Sequence, residues 1–166
     1  MNLNSSEKLL ISSPDFVNGG RIPIQFTGRG EDYSPELRID NISKKAVSIA
    51  LHMDDLSHPI KGYNHWCIWD ISPMNLIPSK IPEGKIISPL GGAVQGVGYG
   101  KHKYRGPKPP KFMKKPHKYI FYVYVLDSKL NLPSDSRKKD LLKAMDGHVI
   151  QQGEICGLFG NDLSST

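Results

Sequence analysis

Three clusters in this sequence hold side chains that could do chemistry: MDDLSHP at 53–59, YNHW at 63–66 and PHKY at 116–119. In the first, the adjacent carboxylates Asp54 and Asp55 close an apolar run before a proline-terminated turn, which puts them at a sheet edge. On that segment alone they either serve a site or merely solvate the turn. His65 stands immediately before Trp66 and an apolar run, at the rim of a core, as a functional imidazole or as a satisfied core histidine. In PHKY, strand alternation places His117 and Tyr119 on one face with Phe121, provided that the strand already begins at His117. Converging on one sheet edge, two imidazoles and a phenol would offer hydrogen bonds to an anion. A carboxylate would fix a histidine tautomer or favour its charged form. The ligand expected of such a site is a phosphate or a carboxylate.

Other chemistries are less well served. The six histidines show no HxH or HExxH spacing and the cysteines no CxxC, so no metal is expected, and a site built from His65, His117 and Asp55 would rest on geometry alone. Ser57 lacks a GxSxG elbow, and Cys67 falls within an apolar strand where a thiol packs rather than reacts. Catalytic residues are therefore not assigned, although a hydrolase using Asp55 and a histidine remains the alternative. The glycine-rich LGGAVQGVGYGK at 90–101 fails as a phosphate loop. His102 follows Lys101 where Ser or Thr is needed, and Gln95 stands where the first glycine should be. It fails as a dinucleotide fingerprint too, with Lys101 in place of the third glycine and no helix after it. Its glycines are expected to serve turns and close backbone approach. No cofactor is expected.

The elements that must position these residues are short. Thirteen prolines and sixteen glycines, spread along the chain, cut it into pieces that suit strands joined by turns. Residues 47–53 alternate, with Val47, Ile49, Leu51 and Met53 on one face, and predict a strand with one buried face. Residues 65–71 and 119–126 are apolar on both faces and predict central strands. One helix is predicted, capped by Ser136 and ending near Gly147, with Leu141, Leu142 and Met145 as its stripe. GEICGLF predicts a closing strand. With 166 residues and no repeat or composition break, a single domain spanning 1–166 is expected.

A net charge of +6 suggests nucleic acid until it is divided along the chain. Residues 84–126 carry nine Lys or Arg and no acid, leaving thirteen basic against sixteen acidic residues elsewhere, a balance of −3. A local patch of this kind attracts any anion, so nucleic acid is a minor alternative. No window has the roughly 20 apolar residues of a membrane-spanning helix. The start MNLNSSEKLLISSPDF lacks the form of a secretory signal, so the cytoplasm is the expected compartment. Cys67 and Cys156 read as reduced packing residues.

In order and spacing, the clusters resemble the phosphatidylethanolamine-binding protein family, which includes the Raf kinase inhibitor proteins and prokaryotic relatives. The resemblance runs from SPDFVNGGRIPIQFTGRGEDYSPELRI through DDLSHP, NHW, GYGKHKYRGPKPP and PHKYIFYVYVLD to AMDGHVI and GLFG. Asp55 and Pro59 match the first aspartate and last proline of the family's DPDAP-like loop, and His65 its pocket histidine. Gly106 and Pro107 match the second loop, and His117 and Tyr119 the histidine and tyrosine of HRY. Ser57 replaces the second aspartate of the first loop, Phe159 a frequent tyrosine, and Tyr63 stands where some members carry tryptophan. The resemblance implies an all-β-dominated antiparallel sandwich with Greek-key connections and a few short helices. It also implies an anion pocket for phosphate or a phospholipid headgroup, with Asp55, Pro59, Tyr63, His65, Gly106, Pro107, His117, Tyr119 and Phe159 as its residues. Inhibition of a kinase or serine protease, and a homodimer, are further expectations of the resemblance.

Overall fold

None of the four long strands contains a proline, as the loss of a ladder donor at each proline requires. The computed structural model describes residues 8–160. In chain order its elements are β1 (Leu10–Ser12), β2 (Gly20–Arg21), β3 (Leu37–Asp40), β4 (Ser48–Asp55), β5 (Tyr63–Ile71), β6 (Leu76–Ile77), β7 (Ile86–Ile87), β8 (Ala93–Gln95), β9 (His117–Leu126), α1 (Lys138–Met145) and β10 (Val149–Phe159).

Two sheets form: a three-stranded one in the order β1-β3-β6, and a seven-stranded one in the order β2-β10-β9-β4-β5-β8-β7. β9 lies beside β4 although four strands intervene in the chain, the long return of a Greek key. All pairings are antiparallel except that of β2 with β10, which is parallel and departs from the wholly antiparallel expectation.

The main core lies between the sheets and holds Leu37 and Ile39 of β3, Ile49, Leu51 and Met53 of β4, Trp66 and Ile68 of β5, and Phe121, Val123 and Val125 of β9. A second cluster covers the opposite face, where Leu141 and Met145 of α1 pack with Ala50, Cys67, Trp69 and Leu126. This corrects the expectation of a strand with one buried face at 47–53. All eight residues of β4 are buried, because α1 and a polar network close the second side, while Val47 precedes the strand and is exposed.

The helix also differs at its start. Its N-cap is Arg137, whose backbone N–H donates to the Asp140 carboxylate at 2.9 Å. Ser136 is buried, and its carbonyl accepts from the Val97 N–H instead. The closing strand is longer than GEICGLF, since β10 follows β9 along nearly its whole length. Both cysteines are free thiols, and burial pushes that of Cys67 up to about 12.

Candidate functional site

A bulge in β5 brings the chemical side chains together. Met53 pairs with Trp66 and Asp54 with Asn64, so His65 is an extra residue with no partner on β4. Strict alternation from the core residue Trp66 would turn His65 to the opposite face; the inserted residue keeps it on the same face. Its ring there meets Tyr119 edge-on at 5.5 Å, Tyr99 at 5.1 Å and Tyr63 at 5.7 Å. Across the sheet, Asp55 pairs with Tyr63 on one side and Tyr119 on the other, and His117 lies two residues beyond Tyr119 on β9, which does begin at His117.

Asp55, His65, His117 and Tyr119 are all buried. His117 Nδ1 lies 2.7 Å from Asp55 Oδ2. An ionised carboxylate only accepts, so Nδ1 carries the proton. His65 Nδ1 likewise donates to the Arg105 carbonyl at 2.7 Å. The Tyr119 phenol is held protonated, first by burial and then by the charge of Asp55 and a hydrogen bond to it. The protons on these three groups are thus committed within the protein. His117 Nε2, left with a lone pair by that tautomer, is buried without a hydrogen-bond partner. Burial also holds His65 below the ordinary histidine value, against the opposing pull of the Arg105 carbonyl and the Asp55 and Asp32 charges. The other Asp55 oxygen accepts the Ser57 N–H at 2.8 Å, and Ser57 Oγ accepts the Lys118 N–H at 2.9 Å. Ser57 therefore braces the carboxylate from the turn.

The loop at 105–107 forms one wall. The Gly106 N–H donates to Asp32 at 2.8 Å, and a Cβ at Gly106 would stand 2.2 Å from the Phe26 carbonyl oxygen, so only glycine fits. Pro107 is buried behind it. Tyr104 donates to the same Phe26 carbonyl at 2.6 Å. Gln95 ties the preceding glycine-rich loop down: its Oε1 accepts from Trp66 Nε1 at 2.7 Å, and its amide nitrogen reaches the Gly84 and His102 carbonyls at 2.9 and 2.8 Å. Phe159 pairs with His117 across the β9–β10 ladder and lies under two guanidiniums, Arg21 at 5.5 Å and Arg29 at 5.9 Å. Arg29 also donates to the Pro109 carbonyl.

Of the residues singled out in the sequence, Asp55, Tyr63, His65, His117 and Tyr119 converge, while Gly106, Pro107 and Phe159 border them. Pro59 instead sits exposed in the turn between β4 and β5. Asp32, Tyr99, Tyr104, Arg105 and Arg29 were not foreseen. Arg105 lies over the Tyr99 ring at 4.0 Å, and His58 stacks on Tyr63 at 4.1 Å. Asp32, Tyr104 and Arg105 act through backbone contacts between distant loops, which no local pattern encodes; the only local hint was the GRGED turn, where Asp32 has φ +61°. Among the described residues, no group of three or more His, Cys, Asp or Glu is placed to hold a metal ion.

Asp54 belongs to a different network on the opposite face. Its carboxylate takes His52 Nδ1 at 3.1 Å, Asn64 Nδ2 at 3.0 Å and Lys138 Nζ at 3.0 Å, and His52 Nε2 meets the Tyr124 hydroxyl at 3.0 Å. Burial opposes its ionisation, but the contacts with His52, Asn64 and Lys138 outweigh burial and hold it below the usual carboxylate range. Lys138 also donates to the Gly62 carbonyl at 2.6 Å, which fastens α1 to the β4–β5 turn.

Comparison with known proteins agrees with this architecture. The family model described as phosphatidylethanolamine-binding protein matches residues 12–160. A UPF0098 protein of Pyrococcus abyssi is 40% identical over 155 residues, covering 92% of this chain and 86% of its own. A UPF0098 protein of Chlamydia trachomatis is 32% identical, covering 92% and 99%. The crystal structure of a phosphatidylethanolamine-binding protein homolog from Chlamydia trachomatis superposes with a TM-score of 0.80 at 30% identity, over 94% of this chain and 99% of that one. Escherichia coli YbcL superposes at 0.84 with 24% identity, over 93% and 99%, a likeness of fold alone. With a family model spanning nearly all of the described residues, the chain belongs to the phosphatidylethanolamine-binding protein family.

Proposed function

We propose that this is a binding protein without catalytic activity, whose pocket between β4, β5 and β9 receives a small phosphoryl-type anion on the imidazoles of His65 and His117. The observation that carries the reading is the buried, unpartnered Nε2 of His117. A buried polar atom left without a partner costs about 1–3 kcal/mol, which a ligand O–H donating to that nitrogen, or an anion oxygen accepting from it once the imidazole has gained a second proton, would offset. Family membership supports binding as the general activity. Asp55 would hold the His117 ring in place, and Tyr63 and the 105–107 loop would shape the walls.

Titration with inorganic phosphate, followed through histidine side-chain NMR signals, tests the reading. Saturable shifts of both His65 and His117, lost in His117→Ala, are expected. Unmoved histidine signals at millimolar phosphate would overturn it.

A further inference from the structure

The loop that follows Pro107 carries a feature that the pocket does not use. Phe112 is 83% exposed, more than any other large hydrophobic residue described. It sits between Lys108 and Lys111 on one side and Lys114 and Lys115 on the other, all four on the surface. Prolines at 107, 109, 110 and 116 stiffen the segment on both flanks, so presenting the phenyl ring to solvent does not depend on a flexible chain. The face continues beyond the loop. A shallow recess of about 710 Å³ is lined by Ile24, Arg29, Lys108, Pro109 and Lys111, and Ile24 is itself 58% exposed. That lining contains no acidic residue.

An exposed phenyl ring flanked by four lysines, next in the chain to a recess lined by Ile24 and three cations, matches the layering of an anionic bilayer surface. There the acyl boundary takes apolar side chains and the headgroups take Lys and Arg. A nucleic-acid duplex would use the cations but offers no apolar layer for Phe112 and Ile24. A folded acidic protein would need a larger complementary area than one loop tip provides.

We propose that the 108–115 loop, with Ile24 and Arg29 beside it, is a docking element for anionic membranes, inserting Phe112 at the headgroup boundary while the lysines contact lipid phosphates. Apart from Arg29, the element shares no residue with the site around His117. It adjoins that site through Pro107 and through Arg29, which lies over the Phe159 ring.

The test is partitioning of the whole protein onto vesicles of phosphatidylcholine with and without phosphatidylglycerol. Binding is expected only with phosphatidylglycerol, and it should weaken as salt rises. Phe112→Ser should reduce partitioning about tenfold, and Lys111→Glu with Lys115→Glu at least as much, since each lysine near such a surface contributes roughly a fivefold factor. In Phe112→Trp, emission should shift to the blue on vesicles, above the constant background of the buried Trp66 and Trp69. His117→Ala should leave partitioning unchanged, which separates this proposal from the pocket reading. Equal binding to pure phosphatidylcholine would overturn the proposal. So would an unaltered Phe112→Ser, or duplex DNA competing as well against Phe112→Ser as against the parent protein.

Discussion

Anion binding in the pocket should be coupled to uptake of a proton. The Nδ1 protons of His65 and His117 and the Tyr119 hydroxyl proton are already given to the Arg105 carbonyl and to Asp55, so an aprotic anion finds lone pairs rather than donors until an imidazole gains a second proton. Sulfate is the suitable probe, because it does not titrate in the neutral range. One proton per anion gives about a tenfold loss of affinity per pH unit above the histidine range. Asp55→Asn tests the same logic with two opposed effects. Removing the carboxylate relieves repulsion on an anion roughly 7 Å away, an imidazole plus two hydrogen bonds. It also removes the stabilisation of an imidazolium at roughly 4 Å. At an effective dielectric constant of about 20 these are about 2 and 4 kcal/mol, so the second wins and sulfate binds about tenfold or more weakly at pH 7. Calorimetric titration in buffers of different ionisation enthalpy measures both the affinity and the protons taken up. A flat affinity between pH 6 and 8, or tighter binding by Asp55→Asn, would refute the reasoning.

Three further outcomes follow. Burial holds His65 below its unfolded value, so the unfolded chain binds the proton first. Stability should therefore fall as the pH drops through the ordinary histidine range and be partly restored by sulfate, as read by denaturant unfolding at pH 7 and pH 5. Lys138→Ala leaves the buried Asp54 carboxylate short of one partner and should cost roughly 2 kcal/mol at neutral pH. Since the Asp54 value is depressed, its stabilisation is fully present above the unfolded carboxylate value and lost as the pH falls through the lower folded one, so the gap to the parent should narrow only below the ordinary carboxylate range. Gly106→Ala drives a Cβ toward the Phe26 carbonyl and should lower stability by about 3 kcal/mol, measured by thermal unfolding, while weakening phosphate binding through the displaced 105–107 loop.

The strands were legible because their hydrophobic patterns are local. Residues 65–71 and 119–126 read as central strands and are central, between β4 and β8 and between β10 and β4. The second buried face of β4 was not legible, because what covers it comes from α1, some ninety residues later, and its polar members His52 and Asp54 look like solvent-facing residues. Asp54 and Asp55 illustrate the limit. As neighbours in a turn-like motif they appeared as a pair, yet the pleat sends one to each side of the sheet. His65 and His117 were recognisable from their positions before apolar runs. The groups that border the proposed site, Asp32, Tyr104 and Arg105, act through backbone atoms of segments 74, 78 and 40 residues away.

The extra residue at His65 also sets how the proposed pocket can change over time. It resets the phase of β5, so residues 63–65 follow one in-and-out rhythm and residues 66–69 another, up to a second register shift before Ile71. Substitutions that refine the core half need not disturb the half that carries the proposed site. Losing a single residue at that point would rotate the imidazole out of the pocket while leaving the hydrophobic alternation intact. The length of this strand is therefore under tighter constraint than its composition.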